Sequence, residues 1–507
     1  MKISESARAR SLLDSLGELR RDIRGQIPPQ LLEEEQILRQ TINAKETQRL
    51  AAVKQKTTSK VTEIEKELAE ILLQYQNLQT KIRQTNPQFA ALLNPQPLNL
   101  TEIQTQVLDE NTVLLEYFLG EQNSFLFFVT KNKLEIFELP SQTLIDAQVR
   151  QTLENLKSRA ESVENETALQ RTERLKKADL NADKNLAETS KILLTPIADK
   201  IANKRLVIVA SGVLQYLPFA ALKIPNSTNG TKFLIENNEI ISLPSASMLP
   251  LLRQIPKEEK TNLNKLAILA DPVFSEDDVR FKALSKPAST QNSTPVMRDA
   301  QIIAPSLRSG FSRLRFSRIE AEAISGLANE NQRFIALDFA ANLKAASSEN
   351  LQNSQIVHFA THGIVNSQFP ELSGIVLSLV DEKGNKQEGF LRVHDVYNLR
   401  LRADLVVLSA CETALGKEVK GEGIVGLTRG FMFAGVPTVA ASLWRVEDQA
   451  TADLMKRFYQ RMMLEKMPPA AALRQAQISM LKEKSSAQPF YWAGFTLQGD
   501  WKVESKK

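Results

Sequence analysis

The chain is poor in the residues that build disulfide and metal sites: it has one cysteine and three histidines in 507 residues. One cysteine cannot close an intrachain disulfide, and no group of cysteine and histidine has the spacing of zinc ligands. We therefore expect a free thiol, with no metal and no other cofactor. No run approaches the roughly 18 consecutive apolar residues of a membrane span, and the N-terminus lacks the apolar core of a signal peptide. The sequence predicts a cytoplasmic protein that does not bind a membrane.

Neither positive nor negative charge is in large excess. Lys and Arg number 64 against 59 Asp and Glu, which gives a formal net charge of +5. The excess is diffuse rather than gathered in a basic stripe, so nucleic-acid binding is not indicated. With 42% hydrophobic residues the chain can bury more than one core, and its length favours about three domains.

Residues 1–98 read as a helical region. Apolar residues recur every three or four positions from Val61 to Ile82, a heptad-like seam that prolines end after residue 86. The seam is too short to require a free-standing coiled coil. We expect a coiled-coil-like antiparallel hairpin, packed on the next domain or able to dock a regulatory protein partner.

The remainder predicts an α/β fold with mostly parallel strands flanked by helices. Apolar runs such as Arg205–Ala210 and Leu266–Ala270 are typical of parallel strands buried on both faces. A first α/β half spans 99–274 and a second spans 313–507. Between them, 275–312 is rich in Ser, Thr and Pro around residues 286–295, which predicts a flexible surface loop.

Two reactive residues each follow an apolar run in the second half. Cys411 comes directly after Leu405–Ala410, and His362 follows Ile356–Ala360. Because ligands bind outside the carboxyl ends of parallel strands, both residues are expected at the same edge of the sheet. A single cysteine with a distant histidine is a cue for a thiol nucleophile. The alternative is a buried cysteine that acts as a small apolar side chain.

The other two histidines have structural interpretations. His358 lies within the predicted strand, which favours a hydrogen-bonded core histidine, and His394 lies near a helix start, where we expect it to be solvated. This leaves His362 as the candidate base. Gly363 beside it has no side chain to block a substrate from the backbone.

A glycine-rich stretch follows the cysteine. Gly421, Glu422, Gly423 and Gly426 fit the G-x-G-x-x-G pattern, but a dinucleotide fingerprint needs its first glycine directly after the strand. About ten residues intervene here, so we interpret the stretch as a regulatory or substrate-gating loop.

Several motifs together resemble the CHAT domain, a caspase-like cysteine peptidase module that is related to separase and often follows TPR repeats. The four segments nearest the candidate site are Val357–Gly363, Leu405–Thr413, Gly421–Leu427 and Ala441–Asp448. Three more extend the similarity over about residues 100 to 502: Val207–Leu222, Leu243–Ser247 and Phe490–Phe495. Gln488 stands where the family commonly has His, and no 34-residue repeat is present. The chain is thus expected to be a member without TPR repeats or the C-terminal portion of a longer one.

The resemblance implies a caspase-like fold in which a pseudo-protease half precedes a protease half. It also implies that Cys411 is the nucleophile, that His362 is the base and acid, and that the backbone N–H groups of Gly363 and Cys411 form the oxyanion hole. The expected activity is a cysteine endopeptidase for a restricted set of protein substrates. The alternative is a catalytically silent caspase-like scaffold that acts through protein–protein interaction.

Specificity can be predicted from the related separase module, in which the segment after the next strand supplies an acid to the pocket for the residue before the cut. Leu443–Asp448 aligns with that segment, which makes Asp448 and Trp444 candidates for this pocket and favours cleavage after Arg or Lys. The alternative is that Asp448 caps a helix beginning near Gln449.

Overall fold

The structure, a computed structural model, describes most of the chain after residue 96. The described ranges are 58–84, 97–161, 163, 165–225, 233–254, 264–280, 311–364, 373–410, 417–419, 423–425, 427–444 and 446–502, with scattered positions before residue 49. Four features predicted from the sequence lie outside these residues: Cys411, Gly421, Glu422 and the Ser/Thr/Pro-rich stretch 286–295.

Within the described ranges, thirteen strands form one largely parallel sheet, and two more form a separate hairpin. The strands of the sheet are β1 (Thr112–Phe118), β2 (Ser124–Val129), β3 (Leu134–Leu139), β4 (Arg205–Val209), β5 (Glu239–Ser242), β6 (Asn264–Pro272), β7 (Arg333–Asp338), β8 (Ser354–Ile364), β9 (Gly374–Val376), β10 (Phe390–Arg392), β11 (Leu405–Ala410), β14 (Thr438–Ser442) and β15 (Phe495–Gly499); the hairpin is β12 (Lys417–Val419) and β13 (Gly423–Val425). The order in the sheet is β10-β9-β8-β11-β14-β15-β5-β4-β1-β2-β3, and β6 pairs with both β7 and β8.

The apolar runs in the sequence become the central strands. All five residues of β14 are buried, as are the last four of β4, because helices cover both faces of the sheet. The first half begins with an antiparallel meander, in which β1 pairs with β2 and β2 pairs with β3.

Strand β15 joins the two halves of the fold. It pairs antiparallel with β14 and parallel with β5, so the parallel strands of the two halves point in opposite directions. The carboxyl ends of β8, β11 and β14 lie at one edge of the sheet, which we call the catalytic edge, and those of β4 and β5 lie at the other. Strand β6 precedes the predicted boundary at residue 274, yet in space it pairs with strands of the second half.

Helices flank the sheet. Those of the described residues are α1 (Thr58–Gln84), α2 (Leu100–Gln106), α3 (Gln142–Lys157), α4 (Ala168–Leu194), α5 (Leu234–Asn237), α6 (Met248–Gln254), α7 (Arg315–Ser325), α8 (Leu343–Ala346), α9 (Glu349–Gln352), α10 (Val393–Val396), α11 (Leu427–Phe433), α12 (Asp448–Met463), α13 (Pro469–Leu481) and α14 (Pro489–Trp492). Helices α3 and α4 pack together beside the first half, and α12 packs between α7 and α13 beside the second. None of the helices in the described ranges is long and apolar enough to cross a membrane.

A few described positions before residue 49 pack on helix α1. Ile42 packs on Leu68, while Leu31 and Leu38 pack on Leu78. The coiled-coil-like antiparallel hairpin stays a prediction.

A separate contact ties the start of the chain to the first half. The buried carboxylate of Glu5 accepts hydrogen bonds from the hydroxyls of Ser245 at 2.7 Å and Ser247 at 2.5 Å, and from the N–H groups of Ala246 at 3.2 Å and Ser247 at 2.9 Å. The contact lies just after β5, at the edge opposite to the catalytic edge.

Candidate functional site

The register of two neighbouring strands defines the candidate site. Strands β8 and β11 are parallel, and Ala410 at the end of β11 lies opposite Thr361 in β8. In the sequence, Cys411 follows Ala410 and His362 follows Thr361. Neighbouring strands are about 4.8 Å apart. Ala410 therefore lies about one strand spacing from the strand that carries His362. Cys411 itself lies outside the described residues.

His362 is held by a backbone carbonyl and two aromatic rings. Its Nε2 lies 2.7 Å from the carbonyl oxygen of Ser312. The ring centroids of Phe274 and Phe311 are each 5.3 Å from that of the imidazole, and only 7% of the residue is exposed. Because a carbonyl can only accept, this hydrogen bond requires a proton on Nε2.

Gly363 follows His362 within the same strand. It lies opposite Ile375 in the antiparallel pair of β8 and β9, so its backbone is part of a sheet ladder rather than of a loop. Its predicted role in an oxyanion hole stays a prediction. Of the predicted glycine-rich loop, Gly423 is described and begins β13, which pairs with β12.

A cavity of about 440 Å³ opens beside the catalytic edge. Its floor includes Thr361, Ser409 and Ser442, which lie near the carboxyl ends of β8, β11 and β14. Trp444 and Asp448 both line it, so the structure brings these two predicted pocket residues together.

The walls of the cavity carry charges of both signs. Glu320, Glu447 and Asp448 contribute carboxylates, and Arg159 and Arg171 contribute guanidinium groups. Arg159 donates to a carboxylate oxygen of Asp179 and, at 3.1 Å, to the hydroxyl of Tyr491. The charge of Arg159 is therefore already paired with that of Asp179.

Asp448 has a structural contact of its own. Helix α12 begins at Asp448, and its N-cap position belongs to Glu447, whose side chain makes no capping hydrogen bond. The Asp448 carboxylate instead accepts from the backbone N–H of Phe316 at 3.1 Å. Phe316 is in the first turn of α7, so Asp448 caps a helix that is distant in sequence.

Trp444 is fixed against the segment that closes the sheet. Its Nε1 donates to the carbonyl of Phe490 at 3.2 Å, and 1% of the residue is exposed. A Cβ atom added to Gly494 would lie 2.5 Å from Val446 and 3.2 Å from the indole. Glycine at this position therefore lets the backbone approach the wall of the cavity closely.

His358 is a core residue, as its position within the strand indicated. It is fully buried, with Nε2 2.9 Å from a carboxylate oxygen of Glu320 and Nδ1 3.0 Å from the hydroxyl of Tyr459. Burial and the nearby Glu320 carboxylate raise the pKa of Tyr459 well above its ordinary value, so the phenol stays protonated. His394 is in the first turn of α10, near a helix start as predicted.

Sequence reasoning missed the residues that hold His362 in place. Ser312 was assigned to the end of a flexible loop, yet it contacts His362, and its neighbour Phe311 is buried. Arg313, the next residue, pairs with Asp271 at the end of β6. Arg280 and Arg313 near the two ends of the loop region indicate that carboxylate partners are close by. The sequence does not show which carboxylates these are.

Comparison with known proteins identifies relatives for most of the chain. It is 26% identical to mouse (Mus musculus) tetratricopeptide repeat protein 28 over 312 residues and 25% identical to the human (Homo sapiens) protein of that name over 321 residues. Each match covers 60% of this chain but 12% of the relative, so the similarity concerns a small part of those proteins.

A solved structure supports the fold class. The chain matches the Saccharomyces cerevisiae separase–securin complex with a TM-score of 0.50 and 11% identity, over 93% of this chain and 38% of that chain. The predicted α/β fold of the caspase-like type, with mostly parallel strands, is thus confirmed. The family model of the CHAT domain matches residues 184–500, which confirms the resemblance noted in the sequence. The chain belongs to the CHAT domain family.

Proposed function

We propose that the protein is a cysteine endopeptidase in which Cys411 is the nucleophile and His362 the general base. One observation carries the proposal: the parallel register that pairs Ala410 with Thr361. In the sequence, Cys411 directly follows Ala410 and His362 directly follows Thr361, and ligands of such folds bind at the carboxyl ends of parallel strands.

The hydrogen bond between His362 and Ser312 supports this role. With the proton of a neutral imidazole on Nε2, the lone pair is on Nδ1, which can then take the proton of a thiol. A base that is oriented by a third group is the general arrangement of such dyads. The aromatic rings of Phe274 and Phe311 restrict the imidazole to this orientation.

The reaction follows from these groups. His362 takes the proton of the Cys411 thiol, and the thiolate attacks the peptide carbonyl to form a tetrahedral oxyanion, for which the N–H groups of Gly363 and Cys411 are the proposed donors. The C–N bond breaks as the imidazolium protonates the leaving amine. Water, deprotonated by His362, then hydrolyses the thioester and frees the thiol.

The acidic wall of the cavity favours a basic residue before the cut. Asp448, Glu447 and Glu320 lie around a cavity that reaches the catalytic edge, and the buried ring of Trp444 forms part of its wall. A partly desolvated carboxylate binds Arg through two hydrogen bonds. We therefore propose cleavage after Arg or Lys in a restricted set of protein substrates.

We further propose that a protein partner regulates the activity. The N-terminal helical region docks a protein partner, and the loop of Gly421, Glu422 and Gly423 responds to that partner beside the nucleophile. The protein acts in the cytoplasm. Adding candidate partners to the purified chain tests this, since a partner that activates it must raise peptide cleavage in proportion to its binding.

A scaffold without catalysis is the second candidate function. It is favoured by the burial of His362, of which 7% is exposed, and by the use of the Asp448 carboxylate to cap a helix. In this case the catalytic edge would bind a partner without cutting it.

A panel of fluorogenic peptides separates the two candidates. Peptides with Arg, Lys, Asp or Leu before the cut are incubated with the full chain, with Cys411→Ala as the matched control. Cleavage after Arg and Lys that Cys411→Ala abolishes supports the peptidase, whereas cleavage after Asp but not after Arg rules out the proposed specificity. No cleavage of any peptide, with or without candidate partners, favours the scaffold.

A further inference from the structure

The residue after Ser312 is anchored to the end of a neighbouring strand. Arg313 makes a two-point contact with Asp271, in which Nε donates to Oδ1 at 2.9 Å and Nη2 donates to Oδ2 at 2.7 Å. Planar groups joined in this way fix each other's orientation as well as their distance. We propose that Asp271 and Arg313 are positioning residues for the general base His362, an inference that rests on the proposed function.

Asp271 stands next to the strand that carries His362. In the sheet, Ala360 of β8 lies opposite Ala270 on one side and opposite Ser409 on the other. The residue after Ala270 is Asp271, and two residues after Ser409 is Cys411. Asp271 and the strand that leads to the proposed nucleophile thus lie on opposite sides of the strand that carries His362.

The backbone of Asp271 has an unusual conformation. Its φ is 50°, in the left-handed region that residues other than glycine rarely adopt. Such a conformation persists when surrounding contacts hold it in place. The side chain is fully buried and also contacts Arg280 at 3.1 Å and Arg318 at 3.0 Å.

These contacts belong to a closed network of charges. Three arginines meet three carboxylates in it: Arg280, Arg313 and Arg318 with Asp271, Asp278 and Asp338. The charges balance, so the buried carboxylate of Asp271 is compensated, and removing any one partner leaves charge without its counterpart. The network is therefore a stiff support for the segment that contains Ser312.

The mechanical link to His362 is one peptide unit. The carbonyl of Ser312 and the N–H of Arg313 belong to the same planar group, so fixing Arg313 restricts the direction of the carbonyl. That carbonyl accepts from Nε2 of His362 at 2.7 Å. Without the anchor the carbonyl can turn away, and the imidazole loses its preference for the tautomer with the proton on Nε2.

The test compares Arg313→Gln with a matched ion pair elsewhere. Arg253 contacts Asp500 in the same two-point way, with Nε 3.2 Å from Oδ2 and Nη2 2.9 Å from Oδ1. The two pairs have similar burial: 22% and 9% of the Arg253 and Asp500 side chains are exposed, against 28% and 0% for Arg313 and Asp271. Arg253→Gln therefore removes a comparable contact at a site away from the histidine.

Nitrogen chemical shifts of labelled histidine provide a readout that does not depend on cleavage. The chain has three histidines, and the signal of His362 is the one lost in His362→Ala. We expect the wild type and Arg253→Gln to keep the proton on Nε2, and Arg313→Gln to shift toward a mixture of tautomers. In peptide cleavage we expect Arg313→Gln to lower kcat on the order of tenfold to a hundredfold, as a displaced catalytic group does, with Arg313→Lys in between and little change in KM.

The outcomes separate this inference from the proposed function. Unchanged His362 shifts in Arg313→Gln, or an equal change in Arg253→Gln, would overturn the positioning role even if the wild type cleaves peptides. A tautomer change confined to Arg313→Gln supports the positioning role even if the wild type cleaves nothing, in which case the proposed function fails instead. Asp271→Asn should reproduce the effect, and if that variant does not fold, the two Arg313 variants decide.

Discussion

The carboxylate of Asp448 accepts a hydrogen bond from the backbone N–H of Phe316 at 3.1 Å, so the residue proposed to recognise the substrate also caps helix α7. The two roles have different requirements. A cap needs an oxygen acceptor, whereas recognition of Arg or Lys needs a negative charge.

Substitution of Asp448 should separate these roles. Asp448→Asn keeps an acceptor for Phe316, so we expect a change in unfolding free energy below about 0.5 kcal/mol, with a loss of cleavage after Arg and Lys. Asp448→Ala should lose about 1 kcal/mol as well, since a cap is removed. Urea unfolding and peptide kinetics on the same preparations measure both effects. If Asp448→Asn cleaves Arg peptides as well as the wild type, Asp448 does not determine specificity.

Gly494 should be intolerant of a side chain. Its substitution by Ala would bring a methyl group to 2.5 Å from Val446 and 3.2 Å from Trp444, and overpacking of this kind costs about 1–3 kcal/mol. We expect Gly494→Ala to lower the urea midpoint and to raise KM, because Trp444 lines the cavity.

The matched control is Gly326→Ala at the end of α7. A Cβ there would meet only ordinary contacts, 3.6 Å from the nearest atom, in a helical backbone conformation. We expect this variant to be as stable as the wild type. Equal stability of Gly494→Ala would show that the wall of the cavity can move aside.

The buried contacts of His358 should matter for stability more than for catalysis. His358→Leu leaves the hydroxyl of Tyr459 without this partner in a fully buried place, and an orphaned polar group of this kind costs about 1–3 kcal/mol. His358→Gln, which can still hydrogen-bond, should lose less. Thermal and urea unfolding of the two variants measure the difference, and a His358→Leu protein as stable as the wild type would contradict this role.

The charge network predicts a loss of stability in acid. Burial alone would raise the pKa of Asp338, but hydrogen bonds from Arg318 and Arg280 outweigh it and hold the pKa below its ordinary value; burial likewise opposes ionisation of Asp278, and hydrogen bonds from Arg280 lower its pKa. Carboxylates whose pKa is lower in the folded chain stabilise it above the unfolded pKa of about 3.9. That stabilisation is lost as the pH falls through the folded pKa.

Unfolding free energies of Arg280→Gln against pH test this expectation. The destabilisation relative to the wild type should be greatest near neutral pH and should shrink below about pH 4, where the carboxylates become protonated. Arg457→Gln removes a pair whose carboxylate, Glu483, is 48% exposed, and it should cost at most about 1 kcal/mol. A pH-independent difference for Arg280→Gln would show that its contacts do not act through these carboxylates.

The central part of the fold could be predicted because its strands are continuous apolar runs. Strands β4 and β11 are of this kind, and the sequence predicts both within one residue of their observed ends. Strands β7 and β15 were missed, since Arg333–Asp338 and Phe495–Gly499 are short and only partly apolar. The joining of the two halves by β15 therefore could not be foreseen.

The sequence predicts which strand ends form the candidate site, but it does not predict the contacts that hold His362 in place. The placement of His362 followed from local sequence, because parallel strands bring their carboxyl ends to one edge. The contacts of Ser312 with His362 and of Arg313 with Asp271 join residues about 40 to 50 positions apart, and no periodicity in one sequence encodes such pairings. The capping of Phe316 by Asp448 is of the same long-range kind.

Labelling of the thiol by a substrate-like reagent tests the proposed dyad most directly. A peptidyl-arginine ketone that alkylates cysteine is added to the full chain, and the adduct is located by mass spectrometry; with one cysteine in the chain, the thiol that reacts is unambiguous. A small alkylating amide serves as the control for plain accessibility. We predict one adduct on Cys411, formed on the order of 10²- to 10⁴-fold more slowly in His362→Ala. The rate of alkylation by the small amide should differ much less between the wild type and His362→Ala. Equal rates of ketone labelling in the wild type and His362→Ala would contradict the account.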